Sequence, residues 1–215
     1  GMGLMTQNQT LSEAEIGALP LDKVDVSDPA IYQNDNWRAY FKRLRREDPV
    51  HYCADSPFGP YWSITKYDDI MKMELDHKTY SSAAHLGGIT IRDSPYGKEM
   101  ASFIGMDQPT HTGHRKAVAP IVAPNNLRNL EATIRERTAA VLDALPRNET
   151  FDWVDKVSIE LTTMMLATLF DFPWEDRRLL TYWSDVSTTD IDAPNALVRS
   201  DEAKLEVQRE MGRYF

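Results

Sequence analysis

The stretch Met106 to Asn126, MDQPTHTGHRKAVAPIVAPNN, divides this chain into two kinds of sequence. Before it lie short apolar runs, turn residues and one long loop; after it the pattern is helix upon helix. Pro109 suits the first turn of a helix, where its missing N–H costs nothing, and Asp107 is a natural N-cap. Such a helix runs through Val118 and ends near Pro120. His111 and Arg115 stand four residues apart on it, so they share a face, one turn above the other. An imidazole and a planar guanidinium so placed make a clamp for a carboxylate or a phosphate. Spacing alone leaves a second reading open, an ordinary solvated His–Arg pair.

With 215 residues the chain can bury a substantial core. Its 24 basic and 33 acidic residues give a net charge of −9, which argues against a general nucleic-acid partner. Gly1 before Met2 reads as an expression scar, and the polar start from Thr6 to Thr10 has no secretory h-region. Met2-Gly3 is out of register for a myristoylation pattern. No apolar run reaches membrane-spanning length, and the single cysteine, Cys53, excludes an intrachain disulfide. Together these features predict a reduced, cytoplasmic protein with no membrane span.

Outward from the central stretch, residues 1–35 are polar, with Pro20 and Pro29, and read as an extended arm draped on a body formed by 36–215. Trp37 to Glu47 is an amphipathic helix with Trp37, Tyr40, Phe41 and Leu44 on one face and Lys42, Arg43, Arg45 and Arg46 mostly on the other. Val50–Ala54 and Tyr61–Thr65 are strand candidates separated by the turn-rich Ser56-Pro57-Phe58-Gly59-Pro60, which predicts a hairpin. Tyr67 to Leu75 is a short helix in which Tyr67, Ile70, Met71 and Met73 are expected to make apolar contacts. Ser81 to Gly105 has no sustained period and contains Pro95, as a binding loop or lid does.

Past the central helix, Asn126 is a natural N-cap for Leu127 to Leu145, whose apolar stripe is Leu127, Leu130, Ile134, Val141 and Leu145, with Glu131 and Arg135 paired outside. Trp153 to Phe170 is apolar on nearly every side, which predicts a helix in the middle of a bundle; Glu160 is its exception, expected at an edge or paired. Pro173 opens a further helix carrying Leu179, Leu180, Trp183 and Val186, and Ser200 caps a last one. That helix stops at Phe215 in mid-pattern, which reads as a truncated chain. The fold class is mainly α with a small β-hairpin.

Other chemistries find little footing. His111 and His114 lack an H-E-x-x-H or any third ligand at a telling distance, and no G-x-S-x-G is present. Gly87-Gly88 lacks the Lys-Ser/Thr of a P-loop, and Cys53 has no base indicated beside it. Asp68-Asp69 and Asp190/Asp192 read as helix-capping or solvated acids.

The string Asp107, Pro109, His111-Thr112, Arg115 and Pro124 resembles the D-P-P-x-H-T-x-x-R segment of the cytochrome P450 haem-thiolate monooxygenases, with one departure: Gln108 stands where the family usually has proline. The order of elements resembles the N-terminal half of the cytochrome P450 fold. The resemblance implies that His111 and Arg115 hold the propionates of haem b, iron-protoporphyrin IX, with Ile104 as a further cofactor contact. It implies that Leu86, Ile89 and Ile91 are apolar walls of a substrate pocket, and that Lys116 faces a redox partner, a ferredoxin served by a ferredoxin reductase. Glu131 to Asp185, with ETFDWVDKVSIELT and ATLFDFPWEDRR, looks most like the soluble bacterial subgroup that hydroxylates medium-chain alkanes or fatty acids at the terminal carbon. The reaction so implied uses O2 and an apolar small-molecule substrate. The family's F-x-x-G-x-x-x-C-x-G ligand loop does not occur in these residues, and the resemblance implies that its E-x-x-R helix belongs to the C-terminal half, so the haem-ligand cysteine is expected beyond Phe215 and the 215 residues alone are expected to be inactive. Two other readings stay open: a non-catalytic helical module binding an apolar ligand, and an unrelated helical enzyme that binds an anion at His111 and Arg115.

Overall fold

The structure, a computed structural model, describes residues 10–93 and 102–215. The readings made for residues 1–9 and for Pro95 lie outside the described residues. The chain divides into two compact units, residues 1–93 and 94–215.

In the first unit, the segment expected as an extended arm is built of short helices. Helix α1 (Glu13–Ala18) starts on a capping box, in which the Ser12 hydroxyl accepts from the Glu15 N–H and the Glu15 carboxylate accepts from the Ser12 N–H. A 3₁₀ turn (Leu21–Lys23) and α2 (Pro29–Gln33) follow, the latter capped by Asp28 with Pro29 in its first turn. Ile16, Val24, Val26 and Ile31 are buried with Tyr40 and Leu44 of α3 (Trp37–Glu47). The sparse apolar residues of this stretch are spaced too irregularly to show a period, yet nearly all of them reach one core.

Two side chains of polar type lie inside that unit. Arg43, expected on the solvated face of α3, is buried: Nη1 donates to the Ile16 carbonyl at 2.7 Å and Nε to Glu47 at 3.0 Å. His51 is 1% exposed, with Nδ1 2.8 Å from Asp48 and Nε2 2.9 Å from the Val24 carbonyl, so it ties the start of the chain to the hairpin.

The hairpin itself is as the sequence predicts. Strands β1 (Val50–Cys53) and β2 (Tyr61–Ile64) pair antiparallel, Val50 opposite Ile64 and Cys53 opposite Tyr61. His51, Cys53 and Ser63 face inward, while Val50, Tyr52 and Trp62 face out. Burial and the nearby Asp25 push the Cys53 thiol above its ordinary range, which fits an inert buried group. Tyr61 donates to Asp25 at 2.6 Å, and burial together with that carboxylate raises its hydroxyl far above the usual phenol range. Helix α4 (Tyr67–Leu75) departs from expectation: it buries none of its residues, and Tyr67, Ile70 and Met71 are all exposed.

In the second unit, α5 (Thr110–Val118) runs through a 3₁₀ turn (Ala119–Val122) into α6 (Pro124–Asp143). Ala123, not Asn126, holds the cap position of α6, because Pro124 already satisfies the first turn; the Asn126 amide donates instead to the Ile121 carbonyl. A π-helical turn (Val154–Ile159) precedes α7 (Glu160–Phe170), and a 3₁₀ turn (Trp174–Asp176) precedes α8 (Arg178–Thr188). Ser200 caps α9 (Asp201–Tyr214) as expected, accepting from the Ala203 N–H. Ala167, Phe172 and Trp183 form the buried centre, joined by Leu179, Leu180, Val207 and Met211. The all-round burial expected for the greasy helix is not met among the described residues: α7 packs against α6 and α8, while Trp153, Val154 and Phe170 stay exposed.

Polar contacts lock these helices. Glu160 accepts from Arg177 at 2.6 Å and from Arg178 at 3.1 Å, and Arg178 also donates to Asp155 at 2.8 Å. Arg137 donates to the Met164 carbonyl at 2.9 Å and to the Thr168 hydroxyl. Its guanidinium and that of Arg177 each lie 4.9 Å from the Trp174 ring centroid, a double cation–π contact. Arg177 chiefly, with Arg178, holds the Glu160 carboxyl below the ordinary glutamate range. A depressed folded value means that this stabilisation is present above the unfolded glutamate value and disappears as pH falls through the lower folded one. Glu160→Gln is expected to cost roughly 1–3 kcal/mol at neutral pH and nothing in strong acid. Denaturant unfolding of both proteins across an acid pH series checks this; parallel curves would rule the linkage out.

Candidate functional site

Helix α5 carries His111 and Arg115, the pair expected to hold an anionic group. The His111 N–H donates to the Asp107 carbonyl at 2.9 Å and the Gly113 N–H to the Pro109 carbonyl at 3.2 Å, so the first turn is anchored on the two residues the sequence marks as its start. Pro109 itself, not Asp107, holds the cap position, and the helix begins at Thr110. His111 and Arg115 then fall one turn apart, as helical geometry requires.

Their surroundings differ. His111 is half-buried, with the Phe103 ring edge-on to its imidazole at 5.9 Å between centroids. The Gln108 amide nitrogen lies 3.5 Å from His111 Nδ1, and the Thr112 hydroxyl donates to the Gln108 amide oxygen. Arg115 is exposed, and its side chain makes no hydrogen bond or ion pair among the described residues. The other arginines of this unit that the core depends on, Arg137, Arg177 and Arg178, are all engaged. Arg115 is therefore a five-donor fork with its capacity unused.

The other residues singled out from the sequence are placed as follows. Ile104 lies in the 3₁₀ turn Phe103–Gly105, which packs on α5, and is exposed. Lys116 is exposed on α5. Leu86 ends a 3₁₀ turn (Ala84–Leu86), and it, Ile89 and Ile91 are 68%, 60% and 47% exposed, so the loop offers apolar surface. These three belong to the first unit, whereas Ile104, His111, Arg115 and Lys116 belong to the second. Sequence reasoning passed over Gln108 and Phe103 as partners of His111; the spacing of Gln108 to His111 and Thr112, three and four residues, was the available signal. No group of three or more metal-ligating side chains is present among the described residues, and no described helix is long and apolar enough to cross a membrane.

No profile of a known protein family matches the chain. Individual proteins do. Linalool 8-monooxygenase from Pseudomonas putida is 31% identical over 157 residues, 69% of this chain and 39% of that protein. The structure of CYP153D17 from Sphingomonas sp. PAMC 26605 superposes with a TM-score of 0.77 at 46% identity, covering 91% of this chain and 48% of the other. Cytochrome P450-153 from Novosphingobium aromaticivorans gives 0.78 at 43% identity, covering 89% and 49%. The chain belongs to the cytochrome P450 family and has the N-terminal half of that fold. It spans about half the length, or somewhat less, of the proteins it matches.

Members of this family carry haem, and the residues present fit that group. A haem edge bears two carboxylates; α5 carries an unpaired guanidinium and an imidazole one turn apart, groups able to donate to carboxylates. Because Arg115 supports nothing else, Arg115→Ala is expected to change the unfolding free energy by less than about 0.5 kcal/mol. A loss several times larger in thermal or denaturant unfolding would show that the residue belongs to the fold and not to a ligand.

Proposed function

We propose that this chain supplies the propionate clamp and part of the substrate pocket of a haem-dependent monooxygenase that inserts one oxygen atom of O2 into a terminal C–H bond of medium-chain alkanes or fatty acids. The observation that carries the proposal is the uncommitted guanidinium of Arg115 one turn from His111 on α5, in a chain 43–46% identical to two cytochromes P450 of the 153 group. When bound, the haem iron supplies the oxygen activation and the C–H oxidation, which no protein side chain can perform.

The chain's own residues bind and orient. Arg115 donates a pair of hydrogen bonds to a propionate and cancels its charge; His111 donates to the same edge of the cofactor. Ile104 adds an apolar contact to the macrocycle. Leu86, Ile89 and Ile91 give a saturated chain a dry wall without hydrogen-bonding groups to orient a polar competitor. Lys116 offers a cation to a small acidic ferredoxin, whose reductase supplies the electrons. Cys53 is not the iron ligand: its thiol is buried against the Asp55 carbonyl at 3.6 Å, in surroundings that disfavour a thiolate. The activity therefore belongs to a molecule that also holds the ligand loop.

The test has two parts. Arg115→Ala in the haem-loaded protein is expected to speed haem loss to apomyoglobin about tenfold or more, and an unchanged rate would remove the clamp role. Reduced protein under carbon monoxide is expected to show the red-shifted Soret band of a thiolate-ligated haem, and product analysis with a medium-chain alkane to show the terminal alcohol. A protein that takes up no haem yet still binds the alkane would instead be a non-catalytic apolar-ligand module.

A further inference from the structure

Gln108 stands where the family's motif has proline, and its side chain lies against the clamp. The amide has a neighbour at each end. The Thr112 hydroxyl, one turn up α5, donates to the amide oxygen, which leaves the amide nitrogen turned to His111 Nδ1 at 3.5 Å. The Phe103 ring lies edge-on to the imidazole, with 62° between the planes. His111 Nε2 has no partner among the described residues.

A neutral imidazole carries one proton, so a nitrogen that accepts cannot also donate. Gln108 offers N–H to Nδ1, which puts the proton on Nε2. We propose that Gln108 is a positioning residue of the clamp: oriented by Thr112, it fixes His111 as the Nε2–H tautomer, so that α5 presents donors and no lone pair to a carboxylate. Proline at this position has no side-chain donor and could not do this. The proposal rests on the propionate reading for the identity of the carboxylate; the tautomer is a property of the chain alone.

The tautomer is read directly from long-range proton–nitrogen correlations of the His111 ring in this polypeptide, at about pH 8.5, roughly two units above an ordinary imidazole. The expected pattern is a bare Nδ1 and a protonated Nε2. Gln108→Glu replaces the donor by an acceptor at a helix N-terminus, where an acidic side chain is tolerated, and is expected to move the proton to Nδ1. Thr112→Val frees the amide to turn and is expected to shift the ratio toward that of a free imidazole, with Thr112→Ser restoring it. Protonated Nδ1 in the unmodified chain, or a ratio that Gln108→Glu leaves unmoved, would overturn the proposal. In the haem-loaded protein, Gln108→Glu is expected to speed haem loss about tenfold. If the tautomer inverts while haem loss is unchanged in both Gln108→Glu and Arg115→Ala, the role of Gln108 stands and the propionate reading falls.

Discussion

One carboxylate organises the second unit. Glu160 opens α7 and accepts from two consecutive arginines that lead into α8, so the chain's turn through Phe172 and Pro173 is clamped from both ends. Arg177 extends the arrangement to Trp174, and Arg137 approaches the same ring from α6. Three helices are thereby tied through groups that are only partly buried, where a charge keeps some of its hydration and pairing is not offset by full desolvation. The aromatic centre around Phe172 and Trp183 then packs within a frame whose angles are already set.

The elements visible in the sequence were those whose periodicity is carried by strong side chains. Trp37, Tyr40, Phe41 and Leu44 mark α3 to the residue, and alternation with a Pro/Gly turn gives the hairpin. What stayed hidden has a common physical cause: arginine is apolar along its stem and charged at its tip. Arg43 looked solvated because its neighbours Lys42, Arg45 and Arg46 are basic, yet its stem packs inward and its fork finds the Ile16 carbonyl. Arg137 sits in the gap of the α6 stripe between Ile134 and Val141, a position that reads as a break and is in fact the contact to α7. Leu127 and Ile134, which looked like core, are exposed. The polar first 35 residues misled in the opposite direction, since Ile16, Val24, Val26 and Ile31 are few but all buried.

The helix of the candidate clamp was legible for a different reason. The face of α5 is set by helical repeat alone, so His111 and Arg115 could be placed one turn apart from their numbers, and both lie on that helix. Their setting was not legible. Phe103 reaches His111 from a 3₁₀ turn inside a stretch without period, and Gln108 registers in the sequence only as a departure from a motif. Local geometry of this kind depends on side-chain rotamers, which composition and spacing do not encode.

The hairpin carries a constraint on how this protein can change over evolutionary time. Its inner face holds His51, Cys53 and Ser63; its outer face holds Val50, Tyr52 and Trp62, with the two rings 4.9 Å apart. Because side chains alternate, adding or removing a single residue within either strand would exchange the two faces, forcing Tyr52 or Trp62 into the space of a small residue and stranding the His51 link to Val24. Lineages carrying such an indel would lose the His51 bond to the Val24 carbonyl along with the register of the sheet. Length variation here should therefore collect between Ala54 and Pro60, where the turn can lengthen without altering which side chains face in.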